Sequence, residues 1–435
     1  MSALEHAAPA AGQQAAPRLS RPFVVALMLA NFGTNVALIA PLQNVLPRMV
    51  EAAAGAGGKA LALGLVTGLG AFAALIANPV AGHYSDRWVS ADNRVVTILV
   101  GLVAGGAAHV ILGYQHSVVS IAVWWTICQA TINIAYSPMS AIVVDHVDRR
   151  SWGLVWGLVS VAQAVGLIVG LAAVVYVFPS VSAGMTAISV GYVACLVPLL
   201  VVLRWLPRAS YASAGAPATG ATGAATAAVQ RRQGVRALLS LEQGFGLVWA
   251  GKFLVTLGET VALLYLYYYL QDVVRYHDPG QGQLILVLCA TLAAIVATVA
   301  VGRVADLSGG YRRYAVLSSV LMAATGFVLA GFAQWAVVIG CAFALGAGYG
   351  AFQSVSQALS MVVLPSPANA GRDLGIINIA SAVPQVIGAP VAGLVVAGAG
   401  GYRGLFVFAG LLALAAAAVF TRVPSSSARL PREPA

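Results

Sequence analysis

Long apolar runs, each about the length needed to cross a bilayer, recur along nearly the whole chain. The first spans Phe23 to Leu46, and five more follow near 61–82, 95–114, 118–144, 153–178 and 183–205. Residues 207–243 break the rhythm. There Ser210 to Gln230 is rich in Ala, Gly and Thr without charge, and Arg231, Arg232 and Arg236 come next. Six further runs lie near 244–271, 284–303, 314–333, 335–363, 374–398 and 403–421. A helix rises ~1.5 Å per residue, so about 20 apolar residues cross a hydrocarbon core of ~30 Å. The pattern predicts an all-α integral membrane fold: twelve transmembrane helices in two pseudo-symmetric six-helix bundles around a central cavity. The bundles are expected at 21–206 and 244–421, joined by a flexible cytoplasmic linker at 207–243. Residues 1–20 read as a disordered cytoplasmic tail and 422–435 as a second tail. The first run is too long for a signal-peptide core and has no small-residue cleavage site behind a short stretch.

Composition sharpens this. The chain is 60% hydrophobic and 8% charged, whereas a water-soluble domain carries about a quarter charged residues. The net charge of +10 suggests a nucleic-acid partner until the positions are read. With the N-terminus inside, 18 of the 23 Lys and Arg fall in cytoplasmic segments or at their edges. Arg48, Lys59, Arg275 and Arg403 fall outside, and Lys252 lies within a span. Such a bias orients a chain in a cytoplasmic (plasma) membrane, here with both termini in the cytoplasm. Cys128, Cys195, Cys289 and Cys341 each sit in a separate apolar run and read as small packing residues. No GxxxxGK[ST] loop, metal-ligand spacing or nucleophile motif occurs. No cofactor, metal, nucleic-acid partner or enzymatic activity is therefore expected.

The halves echo each other. Gly82-His-Tyr-Ser-Asp86-Arg87, with Arg94 beyond, ends the second span; Gly302-Arg-Val-Ala-Asp306 ends the eighth at an offset of 220. Gly153, Gly157 and Gly170 match Gly371, Gly375 and Gly388 at an offset of 218. Parallel repeats of six helices are an architecture of secondary transporters. On these residues the chain resembles the major facilitator superfamily over nearly its whole length past residue 20. Asp145-His-Val-Asp148-Arg149-Arg150 looks like that family's acidic–basic segment after the fourth span. Gly375-Ile-Ile-Asn378 with Pro384-Gln385 resembles the eleventh span of sugar–cation symporter-type and related actinobacterial members. The resemblance implies gating roles at the loops. Asp86 would lean on the start of span eleven and Asp306 on the start of span five. Arg87, Asp145 and Arg149 would form a charge network holding one transport state closed. The competing reading of these charges is topology signalling alone.

Ionisable groups at membrane depth are costly and are functional candidates by default. Lys252 and Glu259 share one face of the seventh span, seven residues or ~10 Å apart. Removal from water disfavours the charged form of a carboxylate, so Glu259 suits proton coupling, with Lys252 as an alternating partner. A structural ion pair, or a lysine snorkelling to the interface, is the plainer account. Asn31 and Asn35, Gln129 and Asn133 near Tyr136, and Gln353 and Gln357 repeat the i, i+4 spacing. With Gln163, Asn378 and Gln385 they suggest a hydrogen-bonding cavity, or else polar contacts between helices. Tyr265-Leu-Tyr-Tyr-Tyr269 reads as an interfacial aromatic belt, with one tyrosine free to face an outer vestibule. These features predict a monomeric, proton-coupled secondary transporter of a small polar solute, sugar-like by its amides. A drug or metabolite exporter is the alternative, and a non-transporting sensor or intramembrane enzyme a remote one.

Overall fold

The computed structural model describes residues 20–87, 91–147, 151–178, 180–205, 244–363, 370–398 and 400–424. Most of the first tail, the expected linker and the end of the chain lie outside the described residues. Helix α1, Arg21–Ala40, begins where the Ser20 side chain accepts the Phe23 N–H and Pro22 occupies the first turn. A π-helical turn, Pro41–Val45, leads into α2, Leu46–Arg87. Taken straight, the 62 residues from Arg21 to Gly82 would reach ~93 Å, three times a membrane core. The chain instead reverses at Gly55, whose φ of 70° favours a residue without a side chain. Tyr265 and Tyr268, one helical turn apart, reach the carbonyls of Ala60 and Pro47, which only a reversal between those two residues allows. This run therefore crosses twice. With ten further helices long and apolar enough to cross, the described residues make the twelve crossings that the hydropathy pattern predicts.

The remaining helices of the first half are α3 (Ala91–Leu112), α4 (Val118–His146), α5 (Trp152–Ala172) and α6 (Val181–Trp205). The second half begins with α7 (Phe245–Leu264), extended by the short turns Leu266–Tyr269 and Leu270–Val274. It continues with α8 (Pro279–Ser308), α9 (Tyr311–Gly331), α10 (Trp335–Val362), α11 (Ala370–Ala397) and α12 (Gly401–Thr421). In the first bundle α1 packs on α5 and α6, α2 on α4, and α3 on α4 and α6. In the second α7 packs on α11 and α12, α8 on α10, and α9 on α10 and α12. Every partnership recurs six helices later.

Two pairs of the repeated glycines sit at close helix contacts, whereas Gly157 meets nothing within 4 Å and lines a cavity. A methyl group on Gly170 would lie 3.3 Å from Val36 Cα of α1; its counterpart on Gly388 would lie 3.2 Å from Thr260 Cβ of α7. Gly82 faces the Ser137 hydroxyl of α4, and Gly302 faces Ser354 of α10 in the same relation. Gly346 and Gly350 bring α10 onto the backbone of α8 at Ala290 and Ala294, with no room for a side chain. Small residues allow such approach inside a membrane, where packing rather than water exclusion joins helices. Gly350→Val should accordingly cost more than about 3 kcal/mol, because backbone must move to admit it. Gly340→Ala, which meets nothing within 4 Å, should be silent. Thermal midpoints of the two purified variants in detergent measure the difference.

Candidate functional site

The two bundles meet along two seams of very different character. The ends of α1 and α12 at the two chain ends define the termini face; the opposite end is the far face. Toward the far face α2 and α11 touch backbone to backbone. A methyl on Gly64 would come within 2.8 Å of the Ala389 carbonyl oxygen, and one on Gly68 within 2.7 Å of Pro390 Cγ. A polar lock caps the same end. Lys59 Nζ donates to Glu51 Oε1 at 2.9 Å within the first half and to Asp272 Oδ1 at 2.8 Å in the second. Gln271 Nε2 donates to Glu51 at 2.9 Å, and the Tyr402 hydroxyl donates to Asp272 Oδ2 at 2.7 Å. Tyr268 lies 4.6 Å beneath the Lys59 ammonium and donates to the Pro47 carbonyl at 2.7 Å. Tyr265, Tyr268 and Tyr269 are fully buried. They are thus not a lipid-facing belt, the reading their place at a span end suggested. They fasten α7 to the first half and to its own bundle.

The second seam, between α5 and α8, closes only toward the far face, where Leu171 meets Leu284 and Val287. From there toward the termini face a cavity of about 650 Å³ separates them. Its walls are mostly aliphatic, drawn mainly from α5, α7, α8 and α10, with Leu286, Ile295 and Leu345 typical of them and Phe406 of α12 beside them. Glu259 stands on this wall, with the Tyr349 side chain of α10 beside its carboxylate. Glu259 also borders a small void among α7, α9, α10 and α12. The sequence singles out this acid at membrane depth; Tyr349, in a glycine-rich stretch, carries no comparable signal. Lys252 is 2% exposed and forms no hydrogen bond or ion pair with any described residue, Glu259 included. The pair expected between them is absent from this conformation, in which Tyr349 partners the acid.

The amides divide. Gln163 of α5 donates to Asn31 Oδ1 of α1 at 3.1 Å and to the Tyr136 hydroxyl of α4 at 3.3 Å. Asn35 lies one turn along α1, its Oδ1 buried without a hydrogen-bond partner among the described residues. Asn133 donates to the carbonyl of Gln129, four residues back in its own helix, at 2.8 Å. Gln353 is half-buried on α10, while Gln357 and Gln385 are exposed, and none of the three lines the cavity. At the loops, Asp306 is exposed and accepts from Tyr311 at 2.8 Å. Gly82, Gly302 and Arg94 lie on helices α2, α8 and α3. The side chains of Asp86, Arg87, Asp145 and Asn378, and all of Arg149, lie outside the described residues. Glu51, Lys59, Gln271, Asp272 and Tyr402 are missing from the sequence-based candidates. In the sequence Lys59 is distinguished only as one of the four cations that fall outside.

The family model described as Major Facilitator Superfamily matches residues 22–276 and 248–435. The chain belongs to the major facilitator superfamily. It is a multi-pass membrane transporter and not an enzyme. A curated relative, the fujikurins efflux protein of Gibberella fujikuroi (strain CBS 195.34 / IMI 58289 / NRRL A-6831), is 28% identical over 179 residues. That match takes in 41% of this chain and spans 38% of the length of the relative. Among solved structures, a nucleoside transporter NupG variant superposes with a TM-score of 0.69 at 14% identity, over 92% of this chain and 99% of that one. A D-xylose–proton symporter gives 0.68 at 15%, over 94% and 98%. A bacterial homologue of the human lysosomal transporter Spinster, inward-facing and unoccupied, gives 0.69 at 13%, over 95% and 100%. At such identities the likeness is one of fold, and it agrees with two six-helix bundles of the superfamily type.

Proposed function

We propose that this superfamily member is a proton-coupled secondary transporter that exports a compact organic solute with a largely apolar body. The observation that carries the reading is the cavity: about 650 Å³, aliphatic over most of its wall, with Glu259 as the single acid among its described residues. Sites for drug-sized molecules have this volume and this sparing use of polar groups. The arginine distribution favours a cytoplasmic termini face, in a plasma membrane. The locked far face is then the outside, and the cavity faces the cytoplasm. An isolated carboxylate against an apolar wall is stable when neutralised, either by a proton or by a cationic group. It cannot hold both with equal ease, which is the condition for exchanging one against the other. The fujikurins relative, an efflux protein by name, is consistent with export.

A polar, sugar-like solute is the second reading, favoured by the Asn31–Gln163–Tyr136 cluster and the unpartnered Asn35 oxygen. One experiment separates the two. Purified protein in liposomes should move ethidium uphill when a pH gradient is imposed, and ethidium should raise its unfolding midpoint while D-xylose does not. A midpoint raised by D-xylose alone selects the sugar reading. Ethidium flux indifferent to the pH gradient removes proton-coupled export.

A further inference from the structure

Pseudo-symmetry makes the α2–α11 and α5–α8 seams equivalent positions; the contacts described for both lie toward the far face, and beyond them α5 and α8 are parted by the cavity. What flanks the open seam decides what can pass through it. Val161 of α5 and Val299 of α8 line the cavity and are also 55% and 68% exposed, so each is shared between the interior and the outer surface. That outer surface is the lipid-facing side of both helices, as Val165, Val169, Leu292 and Val296 beside them show by their exposure. Hydroxyls at the opening offer little to water. Ser160 donates to the Trp156 carbonyl at 2.9 Å, and Thr298 donates to the Gly350 carbonyl at 3.0 Å. The opening is therefore a slot with apolar jambs, set at the depth of the acyl chains and leading to one carboxylate.

We infer that the gap between α5 and α8 is a lateral portal, through which a lipophilic organic cation enters the cavity from the termini-side leaflet. The inference rests on the transporter reading above and adds the route and the charge of the solute. The chemistry matches at both ends of the path. A molecule with an apolar body concentrates in the leaflet, where the slot opens, and meets no polar barrier along the valines. Its positive group finds Glu259, the only charged side chain among the described residues of the cavity wall. An anion would meet like charge there, and a neutral sugar would not gather in the leaflet in the first place.

The test reads access directly and needs no transport. With the four native cysteines replaced, a nitroxide on Ala164→Cys reports from the α5 wall of the cavity in lipid bilayers. Oxygen concentrates in lipid, and a neutral nickel chelate stays in water. Collision with oxygen at Ala164 should approach that of a label at the lipid-facing Val296 and exceed nickel collision several-fold. Val161→Trp with Val299→Trp, placed across the slot, should reduce oxygen collision several-fold without shifting the unfolding midpoint. Added ethidium should reduce it too, in protein with Glu259 intact and not with Glu259→Gln. Nickel collision exceeding oxygen collision would show loading from water and overturn the portal, as would oxygen access unchanged by the tryptophans. Oxygen access unaffected by ethidium would leave an acyl chain as the occupant and overturn the cation. Failure of pH-driven flux in liposomes leaves all these collision readings standing, so the two proposals fail separately.

Discussion

Glu259→Gln is expected to abolish ethidium accumulation driven by a pH gradient while sparing exchange of ethidium at equilibrium. Glutamine keeps the shape of the protonated acid beside Tyr349, so the fold and the empty cycle survive. What it loses is the alternation between a charged and a neutral state, and with it the link between proton and solute. Loss of the drive should be complete within measurement, and Glu259→Asp should retain part of it. In the same liposomes, proton release to the outside on adding ethidium there should vanish in Glu259→Gln. Undiminished pH-dependent accumulation by that variant would make Glu259 a structural residue. Lys252→Ala separates the lysine from this role: with no partner in this conformation, its removal should alter the pH dependence of flux only if the two groups meet in another state.

Lys59→Met should shift the resting population strongly toward a conformation open at the far face. The ammonium holds Glu51 and Asp272 together, and methionine of similar length leaves two carboxylates facing each other without a cation. Its own side chain is 5% exposed, but its partners are 25% and 33% exposed, so water screens part of the loss. A charged hydrogen bond between the halves counts for about 2 kcal/mol, which changes the ratio of two conformations roughly thirtyfold. Spin labels at His116 and Gln334, on far-face loops of opposite halves, should show a longer distance in Lys59→Met and an unchanged one in Lys59→Arg. An unchanged distance in both would reduce the lock to a surface ornament of an interface held by α2 and α11.

Hydropathy alone exposes twelve crossings because each must fill the same thickness with apolar residues, and no other constraint competes with that. The repeated glycines were equally legible, since close approach of helices excludes every larger side chain at Gly170 and Gly388. Glu259 stood out for a related reason: an acid at that depth needs a cause. The lock was hidden. Lys59 and Asp272 are 213 residues apart, and nothing local in either segment announces the other. Tyr265 and Tyr268 look alike in sequence whether a span end faces lipid or a partner bundle. The difference lies in the carbonyls at Pro47 and Ala60, on a reversal that hydropathy does not register. The amide pairs misled in part because an i, i+4 spacing also suits a side chain bonded to its own helix, as Asn133 is to Gln129.

The contact at Leu171, Leu284 and Val287 also has a mechanical meaning. It sits near one end of two long, stiff rods, so it acts as a fulcrum and the helices beyond it as lever arms. From Val287 to Val299 the arm is ~18 Å, and a 10° rotation displaces its tip by ~3 Å. Modest rolling of one bundle on the smooth glycine face of α2 and α11 is thus amplified at the opposite seam to nearly the width of a methylene chain. Leverage of this kind also runs in reverse: a molecule wedged between the arms exerts its greatest torque at the tips, farthest from the fulcrum. Bulk at Val299 therefore has a larger mechanical advantage over the clasp at Lys59 than the same bulk at Val287.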